Sequence, residues 1–150
     1  MKNINEAMKN LKLKRLDEMA ARVGITKDNY LIYVNSDDKG FIPHFHYVDA
    51  ASRGTDKKKG FHTCIKIEKS EYFLHEGKMN TLNQSQREEL NKFLSQPFKR
   101  AKFSGGTNWD YVVSLWNDNN SSKNVDEDLE MPEYTNIKLT EEDKRRLKKR

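Results

Sequence analysis

The sequence predicts an α+β domain: a small antiparallel sheet of three or four strands with helices packed on one face, an N-terminal amphipathic helix and a flexible C-terminal tail. Three observations carry this reading. Short runs of strand formers separated by turn chemistry occupy the stretch from Tyr30 to Glu68. Apolar residues at helical spacing flank that stretch on both sides. Beyond Asn117 the apolar periodicity stops and charged residues take over.

At the N-terminus, Ile4, Ala7, Met8 and Leu11, then Leu16, Met19, Ala20 and Val23, recur at helical spacing, with Gly24 as a natural stop. A helix from Asn3 to Val23 is therefore expected. Tyr30-Leu31-Ile32-Tyr33-Val34 reads as a buried strand. Residues 35–40 are turn-forming, so the next strand, Phe41 to Val48, returns as a hairpin, with Pro43 at an edge or a strand start. After the basic loop 50–60, a third strand runs from Phe61 to Glu68. Its alternation places Phe61, Thr63, Ile65 and Ile67 on one face and His62, Cys64, Lys66 and Glu68 on the other. Residues 70–77 fit either a helical turn or a short fourth strand.

Leu82 to Ser95 reads as a helix, with Asn83 and Gln86 in capping-box positions and Pro97 as its limit. Thr107 and Asp110 open a further helix, whose stripe of Trp109, Val112, Val113 and Trp116 belongs to the core. The chain of 150 residues suits one domain, expected over residues 1–120. Residues 121–150 read as a charged tail, disordered or ordered only where Met131 to Tyr134 and Ile137 dock.

The charge balance is mildly basic: 28 Lys and Arg against 23 Asp and Glu give a formal charge of +5. That excess alone does not establish nucleic-acid binding. A single cysteine cannot form an internal disulfide, which fits a reducing compartment and a cytoplasmic location. No apolar run approaches the roughly 18 residues needed to span a bilayer. No phosphate loop, nucleotide fingerprint, nucleophile elbow or zinc-finger spacing occurs.

The chemistry-bearing residues concentrate between Gly40 and Gly77, where all four histidines and the cysteine lie. His44 and His46 share one face of their strand, as do His62 and Cys64 of theirs. Aromatic and β-branched residues pair across strands. Phe45 and Tyr47 should therefore face the core with Ile65 and Ile67, leaving His44, His46, His62 and Cys64 together on the opposite side. Three imidazoles and a thiolate suit tetrahedral Zn²⁺, the one ion the sequence suggests. The plainer alternative is a set of hydrogen-bonded histidines beside a small buried cysteine. A second group is electrostatic: Arg53, Lys57, Lys58 and Lys59 in one loop, and Lys99, Arg100 and Lys102 in another. With Phe61 and Phe103 nearby they would suit single-stranded nucleic acid; the plainer alternative is a pair of solvated loops.

At Pro43-His44-Phe45-His46 the chain resembles small bacterial domains of unknown function that carry a P-x-H-x-H strand and occur near toxin–antitoxin genes. The series Tyr72 to Gly77, Leu82-Asn83 to Phe93-Leu94 and Trp109 to Asn120 is similar to small proteins of phages and mobile elements of gut bacteria. This resemblance implies an accessory protein of a phage or mobile element, with no catalytic assignment. The leading expectation is a non-enzymatic protein that binds a host or phage protein, or nucleic acid, through its basic loops and tail. The alternatives are a metal-dependent hydrolase or nuclease on the histidine face, and a structural or cargo protein of the virion.

Overall fold

The computed structural model describes residues 20–35, 42–50, 61–74, 80–99, 106–119 and 124–148. Its centre is a four-stranded antiparallel sheet in the order β1-β2-β3-β4, with β1 at Ala20–Ile25, β2 at Tyr30–Asn35, β3 at His44–Asp49 and β4 at His62–Lys66. Two helices follow, α1 at Gln84–Ser95 and α2 at Asn108–Asn119; then come a 3₁₀ turn at Tyr134–Asn136 and helix α3 at Glu141–Lys148. The α+β reading of the sequence is the fold observed.

The fourth strand comes from an unexpected place. The N-terminal helix anticipated over Asn3 to Val23 lies outside the described residues up to position 19, and residues 20–25 form β1. Ala20 and Val23 fit a helix, yet the same residues can also lie extended, with Ala21 opposite Val34 and Ile25 opposite Leu31. Pairing with β2 decides between them, since hydrogen-bonding a strand against a buried neighbour outweighs weak local propensity. The register shifts between Arg22 and Gly24, a β-bulge at Val23. Gly24 is thus no helix stop. A Cβ there would lie 2.9 Å from Cζ of Phe93, so the missing side chain admits the α1 ring against the strand.

A tight turn joins β1 to β2. The Thr26 amide donates to the Tyr30 carbonyl at 2.8 Å, and Asn29 takes the left-handed conformation (φ 71°) that asparagine tolerates. The stretch 70–77, open between a helical turn and a short strand, is described to residue 74 and pairs with β4: the Lys66 amide donates to Glu71 O and the Phe73 amide to Cys64 O, each at 2.9 Å. An ion pair between Lys66 and Glu71 reinforces it.

Phe45 and Ile65 are register partners, as are Tyr47 and Thr63, and all four are buried. Their face receives α1 and the 3₁₀ turn: Gln86 Nε2 donates to Tyr30 Oη at 2.7 Å, and the ring of Tyr134 meets Phe45 edge-on at 5.6 Å. The capping box on α1 is present in both directions, with the Gln86 amide donating to Asn83 Oδ1 and the Asn83 amide to Gln86 Oε1, each at 2.8 Å. Thr107 and Asp110 form the same reciprocal pair at α2. Trp109, Val112, Val113 and Trp116 are all buried, as their stripe predicted.

The segment after residue 123 differs most from the expectation of a tail set apart. Val125, Tyr134 and Ile137 belong to the same buried core as the sheet. Tyr134 Oη donates to the carbonyls of Lys66 and Ile67, at 2.9 and 3.0 Å. Lys138 pairs in parallel with Glu71, and Arg146 of α3 donates to the Leu74 carbonyl at 3.1 Å. Isolated apolar residues in a polar segment carry no periodicity, so their docking was visible only at Tyr134 and Ile137.

Candidate metal centre

Antiparallel register builds the site. His46 on β3 lies directly opposite Cys64 on β4; His44 is opposite Lys66, and Val48 is opposite His62. With a period of two, His44, His46, His62 and Cys64 therefore occupy adjoining positions on one face of two neighbouring strands. The expected co-facing is observed. Aromatic rings cover this face. His44 packs against Phe73 at 4.9 Å and against Trp116 at 5.4 Å between ring centroids, and the ring of Tyr33 stacks on His46 at 4.6 Å, 10° from parallel. None of the four side chains is more than 3% exposed.

The polar atoms converge. Nδ1 of His46 lies 3.0 Å from Nε2 of His62 and 3.4 Å from Sγ of Cys64. His44, His46 and Cys64 can each offer one ligand atom with all of these within 4.8 Å of one another, and this buried group can hold a metal ion. Tetrahedral Zn²⁺, with Zn–N of about 2.0–2.1 Å and Zn–S of about 2.3 Å, keeps its ligand atoms roughly 3.3–3.6 Å apart. The 3.4 Å between His46 and Cys64 matches that spacing, and the 3.0 Å between His46 and His62 is shorter, the length of a hydrogen bond.

Neighbouring groups set the orientation of each ligand. His44 Nδ1 lies 2.7 Å from the carbonyl of Ile42. A carbonyl only accepts, so Nδ1 carries the proton and the lone pair resides on Nε2, the nitrogen through which His44 would bind. Such a carbonyl partner is the usual outer support of a ligating histidine. On β4, the His62 amide donates to Asn80 Oδ1 at 2.9 Å. Tyr33 Oη sits 3.3 Å from His62 Nε2. Tyr33 and Asn80 were not anticipated as part of the site. The alternation that puts Tyr33 beside His46 was readable in β2, whereas Asn80 reaches His62 from a connection with no pattern of its own.

Of the basic residues anticipated as a binding patch, Lys99 is described and exposed. Arg53, Lys57, Lys58, Lys59, Arg100 and Lys102 lie outside the described residues, as do His75 and Phe103. No helix among the described residues is long and apolar enough to cross a membrane. The chain matches no protein-family model, no curated protein and no solved structure.

Proposed function

We propose that this protein is a non-enzymatic binding module whose fold is closed by a structural Zn²⁺, held by His44, His46 and Cys64 with His62 as the fourth ligand. The observation that carries the reading is the convergence of His62 Nε2 and Cys64 Sγ on one nitrogen, Nδ1 of His46. Two further potential ligand atoms within 3.4 Å of one imidazole nitrogen form the kind of cluster that a cation can draw together. A cation among His44, His46 and Cys64 would take one lone pair from each, with His62 beside them as the further ligand. Thiolate with imidazole is the ligand chemistry of zinc rather than of magnesium or calcium.

Burial of all four side chains favours the structural over the catalytic role. A catalytic zinc keeps a position for water or substrate, whereas a structural one is ringed by four protein ligands. The metal-dependent hydrolase or nuclease is therefore the weaker reading, and the activity of the module belongs to its surface. Total metal analysis of untagged protein tests the proposal. About one zinc per chain is expected, by the four-ligand arithmetic of such sites; protein that folds fully with no transition metal overturns it.

A further inference from the structure

The surface away from the histidine face carries a groove of about 610 Å³ between β1 and the C-terminal half of α1. Val23, Phe93 and Phe98 supply apolar walls, and Lys27, Lys92 and Lys99 stand around them as exposed cations, against one acidic neighbour, Glu89. Ile25, at the end of β1, opens onto the same groove and is 54% exposed, one of two large apolar residues so exposed among those described. β1 is the outermost strand of the sheet, so the groove runs beside a strand edge.

We infer that this groove is the docking site of an acidic, extended peptide segment of a partner protein, which lies along the β1 edge with Phe93 on one side of it and Ile25 on the other. The inference rests on the binding-module reading. Three lysines against one glutamate give the rim a net positive charge, complementary to carboxylates. Exposed isoleucine on an edge strand costs solubility and invites pairing, which natural proteins avoid unless the edge is used. Protein is favoured over nucleic acid as the occupant. The aromatic rings here are half-buried or buried, so they offer no exposed stacking platform for bases, and Glu89 would face the phosphates.

The test uses the full chain with its metal content measured on the same sample. The probe is a fluorescein-labelled octapeptide of alternating glutamate and leucine. The controls are the corresponding lysine–leucine peptide and a single-stranded DNA oligomer. Binding of the acidic peptide is expected, weaker at high salt. Lys27→Glu with Lys92→Glu should reduce the affinity by about tenfold or more, as reversal of rim charges does, and Ile25→Ser should weaken it independently of salt. These residues are exposed, so the variants should melt like the parent. Failure of the acidic peptide to bind, affinity indifferent to these substitutions, or tighter binding of DNA through the same lysines overturns the inference. Zinc-free protein that still binds the peptide overturns only the metal reading; zinc-loaded protein that does not bind it overturns only the groove.

Discussion

His46 and Cys64 face each other across the β3–β4 ladder, with Nδ1 of one 3.4 Å from Sγ of the other. Direct register partners are the closest side chains in an antiparallel sheet, so this pair is fixed by backbone pairing rather than by flexible side-chain reach. It forms the rigid edge of the proposed zinc site, with His44 and His62 two residues away along each strand.

A chelator should therefore lower the melting temperature of the native protein. Free zinc at about 100-fold above its Kd would contribute about 2.7 kcal/mol to stability by mass action. His46→Ala and Cys64→Ser should remove the dependence on chelator and on added zinc. Thermal melts with and without chelator check this; identical melts for the parent protein would leave only a hydrogen-bonded histidine network.

Truncation after Asn120 should leave a chain that no longer folds cooperatively. It removes Val125, Tyr134 and Ile137 from the core. Within the full chain, Tyr134→Phe should cost about 1 kcal/mol for the hydroxyl shared between the Lys66 and Ile67 carbonyls. Tyr134→Ala should cost about 3–5 kcal/mol, in the range of large aromatic deletions. Urea unfolding of the two substitutions and dispersion of amide resonances in the truncated chain measure these effects. A well-dispersed spectrum from the truncated chain would contradict the packing.

Alkaline pH should destabilise the fold earlier than a solvent-exposed set of tyrosines would. Burial pushes the phenol pKa values of Tyr134 and Tyr72 above the ordinary value of 10.0. The unfolded chain then ionises first. Stability from these groups is complete below pH 10 and is lost as pH rises through their folded-state values. Tyrosinate absorbance should lag in the native protein and jump on unfolding; a smooth titration of all tyrosines near pH 10 would refute the burial.

Gly24→Ala should destabilise by about 1 kcal/mol, because its Cβ would press on the Phe93 ring at 2.9 Å. The obstacle is the far end of a side chain, so Phe93→Leu in the same chain should recover part of the loss. A double-mutant cycle reads the coupling between the two positions; strictly additive effects would show that the ring does not bear on the glycine.

The sequence by itself determined much of this protein. Period-two alternation settled which residues of β3 and β4 share a face, because each strand has only two faces and apolar residues claim one of them. Hence His44, His46, His62 and Cys64 could be grouped from sequence alone. Capping chemistry at Asn83 and Thr107 and the stripe from Trp109 to Trp116 located α1 and α2, since those signals are local. Tertiary structure alone decided the rest. Residues 20–25 carry helical spacing, and only the presence of β2 as a partner makes them a strand. The distances around His46 depend on the β3–β4 register, which the intervening loop leaves free. Tyr134 joins the core through carbonyls on Lys66 and Ile67, nearly seventy residues earlier in the chain. No local pattern can encode a contact whose partners meet only when the whole sheet has formed.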